Sequence, residues 1–95
     1  MKKVQMYIEN VREEVRDAMD YAEKYVIFKN TRPQFAKMYH DMAENELTHA
    51  ENLRMIGQTM MNEFSYVPEA DVEDWTNCGK YVAEQSAIVR LMLSK

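Results

Sequence analysis

The sequence predicts an all-α chain, a long antiparallel helical hairpin followed by a third helix, within one domain spanning residues 1–95. Three observations predict it. Apolar residues recur in alternating steps of three and four, the period of a packed helix rather than the period of two that marks a strand. Two Gly and two Pro are the only strong punctuation in 95 residues, too little turn chemistry for a β-rich fold. Both prolines, Pro33 and Pro68, stand where the helical pattern breaks.

The first helix is expected over about residues 4–29. Its apolar row reads Val4, Tyr7, Val11, Ala18, Tyr21, Tyr25 and Phe28, with one charged member, Glu14. Ile8, Val15 and Ala22 widen the stripe, and Arg12, Glu13, Arg16, Asp20 and Lys24 fall on the wet face. Asn30 and Thr31 interrupt the pattern. Thr31 with Gln34 fits a capping box, and Pro33 suits a first helical turn, where its missing N–H is no loss. So short a connection makes the two helices antiparallel neighbours.

The second helix is expected over about residues 32–64, with the row Phe35, Tyr39, Met42, Leu53, Ile56 and Met60. Two polar residues, Glu46 and His49, occupy that row; three apart, they share a face. Gly57 weakens this helix without ending it. The third helix is expected over about residues 68–94. Its stripe is Val72, Trp75, Gly79, Val82, Ser86, Val89 and Leu93, with Ile88 and Met92 beside it and Trp75 as its anchor.

Composition bounds the function. A net charge of −4 with no basic stripe argues against nucleic-acid binding. The start Met1-Lys2-Lys3-Val4 lacks the apolar stretch of a secretion signal, and no run reaches the length of a membrane span, so a cytoplasmic protein is expected. Cys78 is the single cysteine, which forbids an internal disulfide; with no His or charge array nearby it reads as a buried, unreactive thiol. The nine Met read as packing, and His40, beside the apolar row with Lys37 three residues before it, reads as a surface histidine.

Charged and imidazole groups in an apolar row are costly unless paired, protonated or bound to a cation. Glu14 lies roughly sixteen residues before the turn and Glu46 about fifteen after it, which at about 1.5 Å per residue sets them at similar heights. Carboxylates with imidazole suit iron, manganese or zinc, and the lack of a thiolate cluster argues against an iron–sulfur or Cys-rich zinc site. One Glu from one helix and Glu-x-x-His from its neighbour is half of the ligand set of a carboxylate-bridged two-metal bundle, so a second copy is expected to complete a four-helix core. The competing reading is a buried pair of Glu14 and His49 that only sets register. Asp17, flanking the row, is a rival or assistant to Glu14.

The run Glu14-x-x-x-Ala18-x-x-Tyr21, followed by Met42-Ala43-x-x-Glu46-x-x-His49-Ala50, resembles the ferritin-like family: rubrerythrin, bacterioferritin and the short encapsulated ferritins. The resemblance spans about Val11 to Leu53. It implies a di-iron centre held by Glu14, Glu46 and His49 with Tyr21 in support, two ions per dimer, and oxidation of ferrous iron by oxygen or peroxide. It implies a homodimer or higher even-numbered oligomer, because the chain holds one half-site and its third helix offers no second one. Iron storage is not implied, since no shell-forming element is recognisable. The alternative is a non-catalytic structural or interaction protein, phage-encoded or accessory, that keeps the hairpin; an adaptor gripping a partner through its Met-rich surface is a third reading with no specific residue behind it.

Overall fold

The computed structural model describes residues 1–95 and contains three helices and no strand: α1 (Lys2–Phe28), α2 (Pro33–Glu63) and α3 (Glu69–Leu93). These bounds differ from the sequence expectation by one or two residues at each end, the usual uncertainty of frayed termini. The expected capping box does not form. Arg32 is the N-cap of α2 and no side chain caps it, because Pro33 at the first helical position starts the helix after Thr31, which stays in the turn with its N–H on the Phe28 carbonyl at 3.1 Å.

The chain runs up, down and up through an elongated body 53 × 17 × 16 Å in Cα extent. Along α1 and α3, Gln5 reaches Asp74 at 3.0 Å and the Arg12 guanidinium lies 4.8 Å from the Tyr81 ring centre, so these two helices are parallel. Against α2 the order is reversed: Trp75 Nε1 donates to Gln58 at 2.9 Å, and Arg90 to Glu51 at 2.7 Å. Arg12 therefore leaves the wet face assigned to it, because its long apolar stem and planar head cover a tyrosine on α3.

The core is built from small residues at the closest helix contacts. Val4, Ile8, Val11 and Val15 of α1 pack with Ala50 and Met61 of α2 and Trp75, Cys78 and Val82 of α3. A second cluster joins Ala18 and Ala22, Ala43 and Leu47, and Val89 and Leu93. Alanines at 18, 22, 43 and 50 are fully buried, and short side chains let the axes of α1 and α2 approach closely.

Two rows differ from the expectation. On α2 the buried row is Ala36, Ala43, Leu47, Ala50, Gly57 and Met61, one position on from the predicted one. Phe35, Met42 and Ile56, expected in the core, are exposed. One residue turns a helix by about 100°, so the predicted row lies on the rim of the α1–α2 contact and not inside it. On α3, Asp71 and Cys78 replace Val72 and Gly79 in the buried stripe. Asp71 tolerates this place because the Met1 amine and Gln5 donate to its carboxylate at 2.7 and 3.2 Å, which also holds its pKa below the ordinary value. No helix is long and apolar enough to cross a membrane.

Candidate metal centre

The α1 residues that meet α3, Gln5 and Arg12, and the α2 residues that meet it, Glu51, Arg54 and Gln58, lie away from the row carrying Glu14, Glu46 and His49. The third helix fills one groove of the hairpin and leaves the opposite face uncovered. On that face the three polar residues converge.

Glu14 comes from the middle of α1, and Glu46 and His49 come from adjacent turns of α2. One ligand atom from each lies within 4.8 Å of the other two. His49 Nδ1 stands 3.6 Å from Glu46 Oε1 and 3.7 Å from Glu14 Oε2. Both separations are too long for a hydrogen bond, so the imidazole is not locked to either acid. Donors about 2.1 Å from one ion at tetrahedral angles would stand about 3.4 Å apart. The three atoms are thus spaced as ligands of a common cation would be, and their chemistry fits iron, manganese or zinc.

Electrostatics point the same way. The Glu46 carboxyl is pushed up to about 7, first by burial, then by the hydrogen bond it shares with Glu14 and by that residue's charge. The imidazole of His49 opposes the shift and Asp17 adds to it. A hydrogen bond between two carboxyl groups needs a proton on one of them. A cation held by the same pair would neutralise it in place of that proton.

The side chains of Glu46 and Glu14 are 19% and 29% exposed, and that of His49 is 55% exposed. A site completed within the protomer would bury all three; this one opens outward. The sequence reading expected such an open half-site, with a second copy completing the core around it. Asp17 stays outside the group of three and acts on Glu46 through its charge alone. Tyr21 lies half-buried on the Glu14 row, stacked on Tyr39 at 6.1 Å between ring centres, and bonds neither carboxylate. His40 sits on another side of α2, where Tyr25 packs edge-on against it at 5.3 Å and Glu44 pairs with it at 2.9 Å. Cys78 is buried, and burial pushes its thiol up, as expected of an inert cysteine.

A family model described as Rubrerythrin matches residues 8–88. The chain belongs to the rubrerythrin family, within the ferritin-like superfamily. The match runs beyond the hairpin that carries the motif and takes in most of α3, so the third helix is part of what this chain shares with the family. Proteins of the family typically bind iron, and the Glu14, Glu46 and His49 group is where this member could hold a metal. Among curated proteins and among solved structures no match is found.

Proposed function

We propose that this rubrerythrin-family chain oxidises ferrous iron at a two-metal site formed where two copies join their open faces. The observation that carries the reading is the convergence of Glu14, Glu46 and His49 on a face that the protomer's own third helix leaves bare. Alone, the three donors make an open site. Two copies supply four carboxylates and two imidazoles, the complement of a carboxylate two-metal centre.

Each residue has a distinct part. Glu46, the least exposed of the three, would hold the metal between the two helices, and its carboxyl, pushed up to about 7 in the metal-free chain, would give up its proton on binding. Glu14 would hold the metal from α1 and share the load of negative charge. His49 supplies a neutral nitrogen whose second ring nitrogen is free to face water or the partner. When bound, iron supplies the one-electron redox steps that no side chain of this cluster can perform. The apolar rim, Met42 and Ile56 on either side of the motif, excludes bulk water once a second copy covers it.

The test is oxidation of ferrous iron in air, followed as the appearance of ferric absorbance, for the unmodified chain and for Glu46→Gln. Oxidation by the first and none by the second supports the proposal. Equal rates in both, or no iron uptake by the unmodified chain, would leave the cluster as a polar device that sets helix register.

A further inference from the structure

Tyr21 lies seven residues after Glu14 on α1, and Tyr39 lies seven residues before Glu46 on α2. Seven residues are two helical turns, about 10.5 Å. Because the helices are antiparallel, both steps run from the cluster toward the hairpin tip and arrive at one level. There the two phenol rings stack, with centres 6.1 Å apart and planes inclined by 29°. Tyr39 continues onto Phe28, nearly parallel at 5.9 Å, and Phe28 onto the exposed Phe35, edge-on at 5.9 Å. Each carboxylate of the cluster therefore has a tyrosine two turns away on its own row, and the two tyrosines touch.

Packing alone does not call for phenols here. Neither hydroxyl makes a hydrogen bond within the protein, and no buried side-chain polar atom lacks a partner, so both hydroxyls reach water. Phenylalanine would fill the same space, as Phe28 and Phe35 do in the same stack. What a phenol adds is an electron that can leave together with a proton. The Lys24 ammonium, 5.6 Å from the Tyr39 ring centre, disfavours a positively charged ring, so loss of an electron from Tyr39 must be accompanied by loss of its phenolic proton.

We infer that Tyr21 and Tyr39 form a two-electron donor pair for peroxide reduced at the adjacent centre; this rests on the metal reading proposed above. One molecule of hydrogen peroxide and two phenols give two molecules of water and two neutral phenoxyl radicals. The O–O bond of the peroxide breaks, each O–H bond of the pair breaks, and the two phenolic protons reach the product water through solvent. A small thiol or ascorbate then returns one electron to each ring, with a proton from water re-forming each O–H. Without such a reductant, the neighbouring radicals couple ring to ring and cross-link Tyr21 to Tyr39. Tyr39 was counted as core in the sequence because nothing in one helix shows what it meets on the other.

The experiment adds hydrogen peroxide to the iron-loaded chain without reductant, maps cross-linked peptides by mass spectrometry and records freeze-quenched electron paramagnetic resonance. The unmodified chain should yield a Tyr21–Tyr39 cross-link that ascorbate suppresses and that peroxide does not produce in the metal-free chain. Tyr39→Phe, which keeps the stack and removes a hydroxyl that bonds nothing, should lose the cross-link and leave a radical on Tyr21 that lives several-fold longer. Tyr21→Phe should lose the cross-link as well. An iron-loaded chain that consumes peroxide with no such cross-link, or whose radical is the same in Tyr39→Phe, overturns the pair while leaving the metal centre intact. A chain that takes up no iron overturns the metal reading, and the pair falls with it for want of an oxidant.

Discussion

Glu46 is asked to be an acid in the empty chain and an anion in the loaded one. An unfolded glutamate titrates near 4.5, whereas Glu46 in the folded, metal-free chain titrates at about 7. Between these values the folded form keeps a proton that the unfolded form has released, so the free energy of unfolding falls as pH rises through that interval and levels off above it. One pKa unit is worth about 1.4 kcal/mol, and the effect is bounded at a few such units. Thermal melts in chelator from about pH 5 to about pH 8 should show a falling Tm, and a Tm that climbs over that range contradicts the assignment. Glu46→Gln removes the titration but keeps the shape. Above pH 7 its metal-free form should melt higher than the unmodified metal-free chain, by up to about 2 kcal/mol, while iron affinity drops at least about tenfold. A structural ion pair with His49 predicts the reverse, because deleting its charge would leave a partner uncompensated.

At the scale of the helices, the two glycines mark the places where α3 docks. A Cβ on Gly57 would run into the Trp75 ring, which is buried and held by the bond to Gln58. Arg54 closes the same contact: its Nη1 donates to the Trp75 carbonyl at 2.9 Å and its guanidinium lies 4.2 Å from the ring centre. Alanine in mid-helix is favoured over glycine by about 1 kcal/mol, yet overpacking a rigid ring costs about 1–3 kcal/mol. Gly57→Ala should therefore lower Tm despite the better helix former, and a raised Tm would show that the ring has room to move. The sequence disclosed that Gly57 does not end α2, but nothing in it showed why a glycine belongs there, since the reason is a tryptophan on another helix. The helices themselves and the level match of Glu14 with Glu46 were legible from spacing alone. Which row of α2 is buried was not. Rows one position apart both carry apolar residues at helical spacing, and the larger ones, Phe35, Met42 and Ile56, look more core-like than Ala36, Ala43 and Gly57. Burial went to a row in which small residues, Ala36, Ala43, Ala50 and Gly57, alternate with Leu47 and Met61, because short side chains let the helices approach closely.

The whole molecule is a three-helix body with one finished face and one unfinished face. Exposed Phe35, Met38, Met42 and Ile56 line the α2 side of the unfinished face, with the candidate ligands among them. An apolar patch around an open polar site marks an interaction surface, and the proposed half-site would be completed there by a second copy. Replacing Met42 and Ile56 together by lysine should give a monomer of unchanged helix content with weakened iron binding, read by sedimentation and circular dichroism. An even-numbered oligomer that survives this change would place the interface elsewhere. The central claim is that three residues of one chain make half of a metal site. Anaerobic titration with ferrous iron, with metal and protein counted in the same native-mass measurement, tests it most directly. The account predicts one iron per chain in an even-numbered oligomer, with that uptake lost in Glu46→Gln; a monomer that binds no iron, or binds it equally well with glutamine at position 46, would contradict it.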